Sequence, residues 1–213
     1  MRRVALFLVQ ILWCNDLALC QRCGVLMNPF PILETNRLRL REIVASDATT
    51  LFAIHGDADA MQWFGSDPLT ELQEAKKLIE LFAGWRQMAN PGTRWAIETK
   101  SCSEFIGTCG LFKWNRRWRS CLIGYELARA AQGYGYMREA MGEMIVYGFR
   151  EMELNRIEAQ VHPRNLPSIK LLTDMGFVQE GHQRQAGYWG GEYHNLLQFS
   201  LLHDDVSRIA GCP

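Results

Sequence analysis

The sequence predicts an α/β sandwich: a mixed, mostly antiparallel central sheet of about seven strands, flanked by about four helices. Three observations predict it. From Arg37 onward charged and apolar residues alternate (Arg37-Leu38-Arg39-Leu40-Arg41), the period of a half-buried strand. Between residues 94 and 127 three strand-like runs are separated only by short turn-forming stretches, the outline of an antiparallel meander. Residues 122–202 then alternate strands with helical periods, which makes the sheet mixed.

Each element has a local reason. Residues 33–43 form the first strand. Ser46-Asp47 can cap a helix running toward Trp63. Thr70-Glu71-Leu72-Gln73 reads as a capping box for a second helix through about Met88, and Asn90-Pro91-Gly92 ends it. Strands follow at 94–99, 105–113 and 120–127, with turns at 101–104 and 115–118. A glycine-containing loop leads into a helix out to about Glu151, with Ala140, Met144, Ile145 and Gly148 on one face. Residues 156–161 form another strand. Asn165 is the N-cap of a further helix with Pro167 in its first turn, and Gly176 stops that helix in the left-handed conformation. The last two strands are 177–185 and 193–202.

Composition bounds the function. In 213 residues, 48% apolar and 22% charged side chains exclude a disordered or fibrous chain. Net charge is zero, with 23 basic and 23 acidic residues, so nothing global suggests nucleic acid as a partner. The balance is uneven. Residues 1–26 carry Arg2, Arg3 and Arg22 against Asp16, leaving the body slightly acidic. The apolar run from Val4 to Trp13 resembles a secretory signal but is too short to span a bilayer and lacks a small-residue cleavage site. The expectation is a 1–26 extension preceding a single domain at 27–213, with translation starting at Met27. Of seven cysteines, Cys20-x-x-Cys23 has metal spacing but no second pair or nearby histidine, so no metal is expected and the thiols read as free.

The strongest chemical signal is strand, glycine loop, helix. After Leu122–Leu127 comes Gln132-Gly133-Tyr134-Gly135-Tyr136-Met137, opening the helix. A helix N-terminus offers unpaired N–H groups and partial positive charge, and glycines allow close approach of a phosphate, most often a pyrophosphate. No Gly-Lys-Ser/Thr follows, which excludes a P-loop, and a single Gly-x-Gly is not a dinucleotide fingerprint.

Gln132-x-x-Gly135-x-Met137 instead resembles motif A of the GNAT family of N-acetyltransferases, Gln/Arg-x-x-Gly-x-Gly/Ala. Met137 departs from the small last residue, so its amide must serve while its side chain points away. Ile123-Gly124-Tyr125-Glu126-Leu127 is similar to the fourth strand of the RimJ/RimL branch, and Arg156-Ile157-Glu158-Ala159, His162-Pro163-Arg164-Asn165, Ser168 and Met175-Gly176-Phe177 to its motif B. The resemblance covers about residues 32–202. It implies the GNAT fold and acetyl-CoA as co-substrate in a cytoplasmic monomer or homodimer with no membrane role. It also implies a β-bulge that splays the 122–127 strand from the 156–161 strand. The gap admits the pantetheine arm, which pairs with the backbone of Glu126, Leu127, Ala128 and Arg129. The loop amides from Gln132 and Gly133 through Tyr134, Gly135, Tyr136 and Met137 hold the pyrophosphate, and Asn165 holds the thioester region.

A protonated amine must lose a proton before it attacks the thioester. Glu158 is the first candidate base and Glu126 the second; each has a second reading as a structural ion pair, which is favoured for Glu126. Strand alternation places Glu158, Gln160 and His162 on one face. His162 either titrates near neutrality or caps its loop. The tyrosine that many family members use as acid is replaced by Leu172, which leaves Ser168 as the hydroxyl for the leaving thiolate, or as a first-turn residue bonding backbone. Trp63-Phe64 and Tyr188-Trp189 fall where the family builds its acceptor cleft; the other reading is a hydrophobic floor. Residues 113–119 (KWNRRWR) are the one basic cluster, either a contact for RNA or an acidic partner or a solvated hairpin tip. The expected function is acetyl transfer to a protein N-terminus or a small-molecule amine. The alternative is a non-catalytic acyl-CoA-binding module.

Overall fold

The computed structural model describes residues 29–209. The expectations for residues 1–26, the start at Met27, and Cys14, Cys20, Cys23 and Cys212 lie outside the described residues.

Among those residues one sheet holds eight strands: β1 (Leu33–Glu34), β2 (Leu38–Glu42), β3 (Thr93–Thr99), β4 (Phe105–Asn115), β5 (Ser120–Leu127), β6 (Arg156–Val161), β7 (Val178–Trp189) and β8 (Glu192–Leu202). Their order is β1-β2-β3-β4-β5-β6-β8-β7, and only β5 and β6 run parallel. Six helices are present: α1 (Ala48–His55), α2 (Ala58–Met61), α3 (Leu72–Trp85), α4 (Tyr136–Arg150), α5 (Leu166–Asp174) and α6 (His203–Ile209).

The extra strand and helices have local causes. The first expected strand is a hairpin, because Thr35 turns the chain: its N–H bonds the Leu38 carbonyl at 2.9 Å. The expected helix toward Trp63 breaks at Gly56. There an added Cβ would meet the Phe52 carbonyl oxygen at 2.8 Å, and Asp57 restarts the helix by accepting from the N–H groups of Asp59 and Ala60. Asp47 is not that helix's side-chain cap, because its carboxylate binds Arg41 and the Val44 N–H instead. The box before α3 closes one residue later than expected: Glu74, not Gln73, accepts from the N–H groups of Thr70 and Glu71.

The core lies on both faces of the sheet. Met137, Ala140, Met141, Met144, Ile145 and Phe149 of α4 pack with Leu40, Ile97, Leu111, Ile123 and Ile157. On the other face α1 and α3 bury Leu51, Ile54, Ile79 and Phe82 against Ala96 and Phe105. Burying each of the larger side chains contributes about 1.5–3 kcal/mol.

β5 and β6 are registered only at Ser120/Arg156, Cys121/Ile157 and Leu122/Glu158. Beyond that point they part. The ladder of β5 with β4 shows no register shift from Leu122 to Leu127, and that of β6 with β8 is regular throughout. The parting therefore does not come from the expected bulge. Each strand keeps its register with its outer neighbour instead.

Candidate active site

The gap between β5 and β6 opens toward the glycine loop. A short turn (Arg129–Ala131) follows β5, and the Gln132 side chain donates to the Leu127 carbonyl at 3.2 Å, folding the loop back onto the strand end. Gly133 and Gly135 have φ of +84° and +78°, which L side chains adopt only at a cost. A Cβ at Gly133 would meet nothing within 4 Å, so the loop faces open space. The first amides of α4, on Tyr136, Met137 and Arg138, have no carbonyl partner within the helix. The Met137 side chain is buried in the core, so the loop offers its amide alone.

A latch the sequence did not reveal holds this loop. The Glu139 carboxylate accepts from the Thr35 hydroxyl (2.6 Å), the Arg37 N–H (2.9 Å) and Arg37 Nε (2.6 Å). Arg37 Nη1 donates to the Tyr134 carbonyl at 3.1 Å, and its guanidinium lies 4.6 Å from the Tyr136 ring centre. Burial pushes the Glu139 carboxyl up, but these bonds outweigh it and hold it below its usual range.

Of the backbone expected to meet the pantetheine, at least four groups are already engaged. The Ala128 N–H bonds the Ile106 carbonyl, the Leu127 carbonyl takes the Gln132 side chain, and the Ala128 and Arg129 carbonyls accept from the Ala131 and Gln132 N–H groups. The Arg129 side chain is held by Asp57 (3.0 Å) and Asp59 (3.2 Å), which ties the loop to α2.

Across the gap the Tyr125 hydroxyl lies 2.6 Å from Ser168 Oγ. Asn165 caps α5 by accepting from the Ser168 N–H at 3.2 Å, which fixes Ser168 in the first turn. Burial pushes the Tyr125 phenol up to about 12, against the Ser168 hydrogen bond. Tyr125 was missed. The signal was there: alternation along β5 puts it on the face of Ile123 and Leu127, toward α5.

The two carboxylates differ sharply. Glu126 is sealed, with a side chain 9% exposed, bound by Arg94 and Thr108 and lying 3.1 Å from His55 Nε2. Burial pushes its carboxyl up, yet the Arg94 charge and the His55 and Thr108 bonds pull it below the usual range. Glu158 sits at the last registered pair before the strands part. It accepts from Arg156 Nε at 2.7 Å, but its side chain stays 33% exposed. Arg156 is shared with Glu180, whose carboxyl it holds down at about 2 together with Ser200.

The acceptor residues divide. Trp63 stacks on His162 (4.2 Å between ring centres), and Trp189 stacks on His194 (3.7 Å), with His162 and His194 at 5.4 Å joining the two stacks. Trp189 Nε1 donates to the Gln62 carbonyl, and the Gly190 N–H to Asp67, so the hairpin turn is tied to the segment after α2. The Trp189 ring passes where a Cβ on Gly187 would be, at 2.3 Å. Phe64 turns instead to His55 and the Arg94 guanidinium. Tyr188 points away, exposed beside Tyr193. His162 Nδ1 accepts from the Arg164 N–H at 3.1 Å, as a loop cap would, and burial lowers its pKa. The basic cluster forms the β4–β5 turn, at the far end of β5 from the glycine loop, with Trp118 exposed.

No group of three His, Cys, Asp or Glu fit to hold a metal is found among the described residues, nor any helix long and apolar enough to cross a membrane.

Residues 37–178 match the family model for the acetyltransferase (GNAT) domain. The chain is 35% identical over 173 residues to the uncharacterized N-acetyltransferase YoaA of Bacillus subtilis, covering 81% of this chain and 97% of that one. It is likewise 35% identical over 170 residues to the uncharacterized N-acetyltransferase p20 of Bacillus licheniformis, covering 80% and 95%. The fold matches that of spermidine N-acetyltransferase from Vibrio cholerae, solved with CoA and spermine, at TM-score 0.70 and 22% identity over 80% of this chain and 98% of that one.

Proposed function

The chain belongs to the GNAT acetyltransferase family and is an N-acetyltransferase, and from that premise we propose that it passes the acetyl group of acetyl-CoA directly to a primary amine bound beside it. One observation carries the reading: the gap between β5 and β6 opens onto the glycine loop at the start of α4. The open face at Gly133 and the unpaired first-turn amides fit a pyrophosphate. The gap takes the pantetheine arm, and the thioester lies beside the Tyr125–Ser168 pair.

Amines of pKa about 8 to 10 are mostly protonated at pH 7. Glu158 is the base in this reading, because its carboxylate keeps an edge open to a bridging water while that of Glu126 is closed off on all sides. The neutral nitrogen attacks the carbonyl carbon, the tetrahedral adduct gives up the second nitrogen proton to solvent, the C–S bond breaks, and the departing sulfur takes a hydrogen bond from the hydroxyl pair. A phenol at about 12 holds its proton more tightly than a thiol near 8.5, so Tyr125 and Ser168 stabilise the thiolate by donation, and its protonation is completed from solvent.

The acceptor mouth in this reading is faced by the half-buried Trp63–His162 stack, with Trp189 and His194 buried behind it, which suits a peptide N-terminus or an aminoacyl small molecule. Relatives named as a putative ribosomal N-acetyltransferase (YdaF, Bacillus subtilis, 36% identical over 84 residues) and as spermidine N(1)-acetyltransferase (Vibrio cholerae, 22% over 167) keep both a protein amine and a small polyamine in this reading. The site of action in this reading is the cytoplasm, where acetyl-CoA is available. The test is thiol release from acetyl-CoA over a panel of Ala- and Ser-starting peptides, polyamines and aminoacyl amides, with products identified by mass spectrometry. CoA binding without turnover on any amine would replace the enzyme with a non-catalytic acyl-CoA-binding module.

A further inference from the structure

The histidine that follows β6 touches both halves of the site. His162 is half-buried. The face of its ring lies on Trp63, with ring centres 4.2 Å apart and planes 18° from parallel. Its edge does something else. His162 Nδ1 accepts from the Arg164 N–H at 3.1 Å, and the His162 carbonyl accepts from the Asn165 N–H at 2.9 Å. These two bonds close the turn His162-Pro163-Arg164-Asn165, in which the proline ring fixes one φ. Asn165 then caps α5 by taking the Ser168 N–H, and the Ser168 hydroxyl reaches Tyr125. One side chain therefore links the acceptor wall to the Tyr125–Ser168 pair.

The edge bond sets a condition on the ring. A ring nitrogen that accepts a hydrogen bond carries no proton, so the neutral ring bears its hydrogen on Nε2. A proton added to Nδ1 points at the Arg164 N–H and breaks the bond. Burial, then the charges of protonated His194 on β8 and of Arg164 on the turn, hold the His162 pKa below its usual value near 6.5, against the Glu192 carboxylate on β8. The other rings on it, Trp63 and Trp189, are uncharged. The turn is therefore closed at neutral pH and opens as pH falls through that lowered value.

We propose that His162 is a positioning residue of the transfer: its unprotonated edge holds Ser168 in place through the turn, and its face holds Trp63. It rests on the proposed transfer, in which Ser168 meets the thioester and Trp63 the amine.

Two substitutions separate the edge from the face. His162→Asn loses the ring but keeps an acceptor for the Arg164 N–H, because asparagine side chains readily bond the backbone two residues on. His162→Phe keeps the ring and loses the acceptor. In steady-state kinetics the effects cross. His162→Asn raises the KM for the amine about threefold and keeps most of kcat. His162→Phe lowers kcat about fivefold and changes that KM little. General loosening of the fold moves both variants alike, and such a parallel loss overturns the proposal. The amide nuclear magnetic resonance spectrum of the nitrogen-labelled full chain, saturated with CoA and without amine, reads the edge alone. In wild type the Arg164 and Ser168 signals shift together with the titration of His162, at a midpoint below 6.5, and in His162→Asn they do not. Signals that ignore the titration of His162, or shifts that persist in His162→Asn, overturn the proposal. A wild type that turns over no amine strikes the transfer reading instead, and the amide titration still decides the role of the turn.

Discussion

Replacing Glu126 by glutamine separates the two readings of this buried carboxylate. The substitution keeps the shape and removes the charge. Arg94, only 5% exposed, then has no carboxylate opposite it, and the amide NH2 replaces either the oxygen that Arg94 binds or the one that Thr108 and His55 share. Breaking a buried ion pair from one side costs about 3–5 kcal/mol. In a domain of this size each kcal/mol moves the melting temperature by roughly 2–4 °C, so Glu126→Gln should melt about 6–20 °C below wild type at pH 7. The sign with pH follows from the direction of the shift. The folded carboxyl lies below its unfolded value near 4.5, so its stabilisation is complete above that pH and is lost as pH falls through the folded value. The gap between wild type and variant should therefore close in acid. Thermal unfolding from pH 7 down to pH 3 reads both effects. A loss under about 2 °C at pH 7, or a gap that acid does not narrow, would refute the structural role. Kinetics adds a second check. Phe64 packs on His55 and Arg94 and is joined directly to Trp63 of the proposed acceptor wall, so a structural Glu126 predicts a raised KM for the amine and an unchanged KM for acetyl-CoA. Collapse of kcat with an unchanged melting temperature would make Glu126 the base instead.

Glu158→Gln should lower kcat at least tenfold at pH 7 with little change in acetyl-CoA affinity; wild-type turnover in steady-state assays would discard it as the base. Tyr125→Phe and Ser168→Ala each remove half of one hydroxyl pair, so each should lower kcat and the double variant should lose less than the two losses combined, as a double-mutant cycle would measure. Gly135→Ala forces a left-handed φ of +78° on a side chain at a cost of about 1–2 kcal/mol, and Arg37→Ala cuts the latch on the same loop. Both should raise the KM for acetyl-CoA several-fold and leave that for the amine alone, and an amine-specific effect would show that the loop does not hold the cofactor.

Much of the frame could be read along the chain. β5 and β6 have the expected bounds, because short alternating runs between turn residues leave little freedom, and the Asn165 cap and the Gly176 stop of α5 are local chemistry. The Arg156–Glu158 pair was legible too, since residues two apart on a strand share a face. The same alternation explains why Tyr188 turns away while Trp189 is buried, although the sequence reading had grouped them. The contacts that define the site were hidden by distance along the chain. Glu126 meets Thr108, Arg94 and His55 across 18, 32 and 71 residues, and Tyr125 meets Ser168 across 43. No spacing rule reaches that far. The β4–β5 register sets Thr108 opposite Glu126, the β3–β4 register brings Arg94 alongside, and α1 and α5, packed on the sheet, supply His55 and Ser168.

Within the sheet, three registered residue pairs join the first five strands to the last three among the described residues. A molecule lying in the breach links both halves, so it acts as mortar as well as reactant. Occupancy at a hundred times its dissociation constant adds about 2.7 kcal/mol to the resistance against unfolding. In the proposed reading acetyl-CoA therefore raises the melting temperature of the chain in proportion to the logarithm of its concentration, whether or not an amine is present to react.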